Sequence, residues 1–153
     1  MSDVFSRLQE LGLTLPDVAP PLAAYVPAVR SGSHVYISGQ LPLENGKLME
    51  AGKVGLDITA DRAKELAARC ALNAMAAAHA LVGLDKVTRI VKLTGFVASA
   101  DGFTGQPGVI NGASELFGQV FGEAGKHARS AVGVAELPLG APVEVEVIVE
   151  VAS

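Results

Sequence analysis

The sequence predicts an α+β fold with one mixed sheet and two helices free to cover one of its faces. Three observations carry this reading. Near the end, Val143, Val145, Val147, Val149 and Val151 face one way and Glu144, Glu146, Ile148 and Glu150 the other, the alternation of a half-buried strand. A long run after Thr59 is dominated by Ala, Leu and Met, the composition of a buried helix. The successive patterns read strand, strand, helix, strand, helix, strand, strand, which is neither a regular βα alternation nor an all-β array.

Taken in order, residues 4–11 read as a short amphipathic helix with Phe5, Leu8 and Leu11 at helical spacing, stopped by Gly12 and Pro16. Pro16, Pro20, Pro21 and Pro27 mark residues 1–21 as an arm on a single domain spanning 1–153. Residues 25–29 and 34–38 flank Ser31-Gly32-Ser33 as a hairpin. A Gly- and Pro-punctuated stretch, 39–55, precedes Asp57 and Thr59, which offer alternative caps for a helix running to about Leu81, with Asp61 in its first turn and Glu65 and Arg69 at i, i+4. The small side chains of residues 71–81 let that helix sit close to a sheet. Gly83 ends it, residues 84–86 turn the chain, and 87–98 form a long strand in which Gly95 marks a bulge. A second helix over residues 110–123 places Leu116, Val120 and Ile110 or Phe117 on one side, closed by Gly122 and Gly125. Residues 129–137 and 143–151 finish as a hairpin joined by a turn at 138–142.

Half of the 153 residues are hydrophobic and 17 more are glycine, while 18% are charged, below the usual ~25%. Disorder is excluded, and more apolar surface remains than a lone small domain hides, so a homo-oligomer is expected. A net charge of −4, with no two Lys or Arg adjacent, argues against a nucleic-acid partner. Cys70 has no partner for an internal disulfide, and the first residues lack a basic segment followed by an apolar core, so the expected location is cytoplasmic. The most apolar window, 71–82, is interrupted by Asn73 and His79 and is far short of a bilayer span, so no membrane association is expected.

Standard signatures for nucleotide, metal or serine-nucleophile chemistry are absent, and His34, His79 and His127 have no metal-ligand spacing. Cys70, among alanines, reads as a small buried hydrophobe. Arg129 is different. On its own strand face it is followed by Ala131, Gly133 and Ala135, which leave room for a small acidic ligand beside a guanidinium. Glu144 stands on the following strand, so an arginine able to fork a carboxylate and a glutamate able to move a proton are read as one strand apart. Spacing alone favours the alternative, an ordinary ion pair of Arg129 with Glu144 or Glu146.

The runs Tyr25-Val26 with Ile37-Ser38-Gly39-Gln40-Leu41-Pro42, Val109-Ile110-Asn111-Gly112-Ala113-Ser114, Ala128-Arg129-Ser130-Ala131-Val132-Gly133-Val134 to Leu137-Pro138, and Val143-Glu144-Val145-Glu146 resemble the YjgF/RidA family of enamine/imine deaminases. The likeness covers residues 22–151, and Gly52-Lys53-Val54-Gly55, Gln106-Pro107 and Gly125-Lys126-His127-Ala128-Arg129 look like a bacterial RidA-like subgroup. The resemblance implies a chorismate-mutase-like fold of the bacillus type and a homotrimer whose sheets form a central β-barrel, with three clefts between subunits. It implies that Arg129 grips a substrate carboxylate, that Glu144 orients or activates the hydrolytic water, and that Tyr25, Gly39, Asn111 and Ala131 line the cleft. Each lining residue also has a plain structural reading: Tyr25 packing beside Pro27, Gly39 serving a turn, Asn111 capping the second helix. Ala131 stands where the best-known members have cysteine, so any role of that thiol is absent here.

The implied activity is hydrolysis of a reactive 2-imino acid, or its enamine tautomer, to a 2-keto acid and ammonia, without metal or organic cofactor. A binding module using the same clefts for a keto acid or amino acid is one rival. A holdase-like interaction protein, favoured by the mean hydropathy of +0.38, is another. A ribonuclease, a reading sometimes attached to the family, suits the chain's charge least.

Overall fold

The computed structural model describes residues 3–18 and 23–153, so Pro20 and Pro21 of the arm lie outside the described residues. Helix α1 (Val4–Glu10) starts at Asp3, whose carboxylate accepts the Ser6 N–H at 2.8 Å, and buries Leu8. Strands β1 (Ala28–Ser31) and β2 (His34–Gln40) form the expected hairpin around Gly32. The first strand begins at Ala28 because Pro27 has no N–H for the ladder. The segment before it is tied down instead by Ser38, which donates from Oγ to the Val26 carbonyl at 2.7 Å and from N–H to the Pro27 carbonyl at 2.9 Å. Within the stretch expected to be irregular lies a second, two-residue-turn hairpin, β3 (Leu43–Glu44) and β4 (Lys47–Leu48), closed by Asn45 and Gly46, both at positive φ.

Helix α2 (Ala60–Val82) is capped by Thr59, whose hydroxyl accepts the Arg62 N–H at 3.1 Å. The expected Glu65–Arg69 pair does not form. Glu65 meets Arg62 at 3.0 Å, and Arg69 reaches away to donate to the Leu43 carbonyl at 2.9 Å, anchoring β3 on the helix. Strand β5 (Val87–Ala98) and helix α3 (Gln106–Phe121) follow. The helix starts four residues earlier than its apolar periodicity indicated, because Gly105 serves as the N-cap and Pro107 is preorganised for the first turn. Strand β6 (Ala128–Val134) ends three residues short of Leu137, and β7 (Val143–Val151) closes the chain.

The five-stranded sheet has the order β1-β2-β7-β5-β6, antiparallel except for the β5–β6 pair. The expected β6–β7 hairpin is therefore corrected. Helix α3 is the crossover of a β5-α3-β6 unit, and β7 returns to the gap between β2 and β5. Gly95 is not a bulge either, since its ladder to Val145 is regular. A Cβ there would lie 2.5 Å from Ile110, so the glycine lets α3 rest on β5. Gly112 does the same between the helices, where a Cβ would strike the Lys64 carbonyl oxygen of α2.

One face of the sheet is covered by α2 and α3. Val143, Val145, Val147, Val149 and Val151 are at most 3% exposed and pack into one core with Leu66, Met75, Ile110 and Phe117. The opposite face, carrying Tyr36, Lys92, Thr94, Glu144, Glu146 and Ile148, has no layer over it among the described residues, and Tyr36 is 48% exposed.

Candidate active site

Arg129 pairs in register with Leu93, a residue of the covered face, and so projects toward α3. There its Nη1 donates to Asn111 Oδ1 at 2.7 Å and to Ser114 Oγ at 3.1 Å. Asn111 thus lies inside the helix, one turn before Ser114, and does not cap it. Both bonds use Nη1. The Nε–Nη2 edge, which meets a carboxylate side-on with two parallel bonds, has no partner among the described residues. Ala131 sits next along this face, half-buried beside Gly95. The open space read from sequence ends there, since the place a Cβ would take at Gly133 lies 2.8 Å from Gln106 Nε2.

Glu144 pairs with Phe96 on the open face. Beside it β2 carries an extra residue between Ile37 and Gln40, and a Cβ at Gly39 would run into the Glu144 carboxylate. A side chain at position 39 would push this carboxylate aside. Partial burial, with Glu146 two residues along the same face, raises the Glu144 carboxyl above its ordinary range. Complete burial, with a smaller contribution from the same carboxylate, pushes the Cys70 thiol on α2 well up, as suits an inert packing residue. Tyr25, 58% exposed, is held at this end of β2 by the Ser38 bonds and does not pack as a buried side chain.

Two clusters result: Arg129, Asn111, Ser114 and Ala131 at the β6–α3 edge, and Glu144 beside Gly39 on the open face, with the segment after Tyr25 tied to Ser38 of the same strand. The structure does not bring them together in one chain. Strand β5 intervenes, and Arg129 aligns through Leu93 with Val147, so Glu144 is two strand spacings across and three residues along, roughly 10 Å in each direction and on the other face. The ion pairs of Arg129 with Glu144 or Glu146 do not form among the described residues. Sequence reasoning missed Ser114 as a partner of Arg129, and His127, read as a loop residue, which contacts Ser114 at 2.9 Å. The available signal was the i, i+3 spacing of Asn111 and Ser114. A hollow of about 670 Å³ under the arm, lined by Phe5, Leu8, Leu13, Leu15 and His79, contains none of these residues.

Residues 5–151 match the family model described as "YjgF/chorismate mutase-like, putative endoribonuclease". The chain is 46% identical over 149 residues to Protein TCP17 of Trypanosoma cruzi, covering 96% of this chain and 93% of that protein. It is 31% identical over 137 residues to a 2-iminobutanoate/2-iminopropanoate deaminase of Dermatophagoides farinae, covering 90% and 93%. Among solved structures, Atu1372 of Agrobacterium tumefaciens, a protein described as of unknown function, superposes with a TM-score of 0.91 at 49% identity, covering 97% and 92%. The trypanosome relative shows that the likeness is not confined to bacteria. A match over nearly the whole length, with the β5-α3-β6 unit and the one-sided helical layer in place, puts this chain in the YjgF/RidA family with its chorismate-mutase-like fold.

Proposed function

We propose that the protein hydrolyses small 2-imino acids to 2-keto acids and ammonia at clefts between copies of the chain, assembled as a homotrimer. The observation that carries this reading is Arg129, a guanidinium already fixed on one side by Asn111 and Ser114 with its forked edge free for a carboxylate. The likeness to a 2-iminobutanoate/2-iminopropanoate deaminase supplies the reacting group. A three- or four-carbon acid gripped by Arg129 cannot reach Glu144 of the same chain, whereas a second copy whose open face lies against the β6–α3 edge would bring its own. The exposed Tyr36 and the half-buried Phe96 and Ile148, together with the low charge of the chain, favour such burial.

In the cleft, the protonated imine carbon is the electrophile. Water adds to it as Glu144 takes a proton from the attacking oxygen, forming the C–O bond of a carbinolamine. The same carboxyl returns the proton to nitrogen, the C–N bond breaks, ammonia leaves, and the remaining hydroxyl proton is lost as the carbonyl forms. The raised Glu144 carboxyl suits this exchange, since proton transfer in both directions is fastest when donor and acceptor are closely matched. Gly39 gives the carboxylate room. The main rival is a module that binds keto acids without turnover. A ribonuclease, though it appears in the family's description, suits a chain of net charge −4 poorly.

The test generates 2-iminobutyrate in situ with an amino-acid oxidase and traps it with semicarbazide. Semicarbazone formation should fall in proportion to added protein, and sedimentation at micromolar concentration should give three times the chain mass. Binding of 2-ketobutyrate with undiminished semicarbazone formation would favour the rival, and a monomer would remove the cleft.

A further inference from the structure

The hydrogen positions beside Arg129 follow from what each neighbour is able to do. His127 Nδ1 lies 2.7 Å from the Gly125 carbonyl oxygen, which only accepts, so Nδ1 carries the ring's hydrogen. In the neutral imidazole Nε2 is then an acceptor, and the Ser114 hydroxyl 2.9 Å away donates to it. With its one proton committed to the ring, Ser114 offers only lone pairs on its other side, where Arg129 Nη1 donates at 3.1 Å. The order passes from Gly125 to His127 to Ser114 to Arg129, and Asn111 holds the same nitrogen from one helical turn away. The anchors are rigid. A Cβ at Gly125 would collide with the Phe117 carbonyl oxygen, which shows how tightly that turn is pressed onto α3. The imidazole stands edge-on to buried Phe117 with centroids 6.2 Å apart.

We infer that Ser114 and His127 are positioning residues which hold the Arg129 guanidinium with its Nε–Nη2 edge presented, and that they thereby set a preference for a carboxylate over an uncharged amide. This rests on the reading of Arg129 as the carboxylate grip. Neither residue is assigned a contact with the substrate. Their effect is to order a flexible side chain before binding, so that the ordering is not subtracted from ligand affinity.

The experiment uses the full chain and two readouts. In wild-type protein, nitrogen-15 spectra should show His127 as the Nδ1–H tautomer and the Arg129 Nε–H as rigid; in Ser114→Ala that Nε–H should become mobile. Calorimetry compares 2-ketobutyrate with 2-ketobutyramide. Ser114→Ala and His127→Phe should each weaken the acid about five- to thirty-fold and leave the amide unchanged, while the double variant is no worse than either single one. Ser114→Thr, which keeps the hydroxyl, should restore the acid preference. An Nε2–H tautomer, or unchanged Arg129 mobility and acid affinity in folded Ser114→Ala, would overturn the inference. Wild-type protein that binds no 2-keto acid would sink the functional reading instead, and the Arg129 mobility in Ser114→Ala would then decide whether the relay holds the guanidinium.

Discussion

The two faces of the sheet are built to different degrees of completion. On the covered face, five valines of β7 are sealed under α2 and α3, glycines at 95 and 112 let the layers touch, and at the edge Arg129 is tied into a chain of hydrogen bonds. On the open face Glu144 accepts no hydrogen bond among the described residues, its carboxyl is raised by partial burial and by Glu146, and apolar side chains stand uncovered. One half-site is finished within the chain and the other is not. Under the proposed function, chemistry divided between opposite faces of one sheet asks for a second copy, and the unfinished face is where that copy would dock.

The comparison can be broken at either face. The largest expected effect is on the open side: Glu144→Gln keeps the shape beside Gly39 but cannot carry the proton, so turnover of 2-iminobutyrate in the semicarbazide assay should fall roughly 10²- to 10⁴-fold. Affinity for 2-ketobutyrate should change little. At the finished edge, Arg129→Ala should weaken 2-ketobutyrate by roughly 1.5–3 kcal/mol in calorimetry, and Arg129→Lys, which keeps charge but not the fork, should recover only part of it. Within the covered layer, Gly112→Ala forces α2 and α3 apart at the Lys64 carbonyl and should cost about 1–3 kcal/mol in denaturant unfolding, with the site chemistry otherwise intact.

The smallest effect sharpens the contrast through pH. Folding raises the Glu144 carboxyl, so the folded state binds its proton more tightly than the unfolded chain does. The favourable contribution is fully present below the ordinary glutamate range and is lost as pH rises through the raised folded value. Thermal unfolding of Glu144→Gln should therefore show a weaker decline than wild type across that window, and an identical pH profile would contradict the assigned burial.

Much of this was legible in the residues. The alternation from Val143 to Val151, the Thr59 cap and the small-residue run of α2 each follow from local chemistry, and the structure agrees. The Asn45-Gly46 turn was equally legible, and the surrounding glycines and prolines obscured it. Strand order was not legible. Nearness in sequence made β6 and β7 a hairpin, whereas pairing is decided by which edges remain free once α3 has carried the chain across to lie parallel to β5. The same error placed Arg129 and Glu144 side by side. Residue identity marked both as chemically capable, but facing is a property of register, and register between distant strands is not written in either strand alone. Ser114 and His127 escaped notice for a related reason, since their link crosses from a helix to the residues leading into a strand.

The most direct test of the central claim is subunit complementation. Arg129→Ala and Glu144→Gln proteins, each assayed alone at substrate low enough that both fall far below wild type, are mixed, unfolded, refolded together and checked for mixed oligomers by native mass spectrometry. If each site takes Arg129 from one copy and Glu144 from another, random mixing restores both groups at about a quarter of the sites, and imine hydrolysis returns to about that fraction of wild type. Mixed oligomers without activity would contradict a site shared between copies.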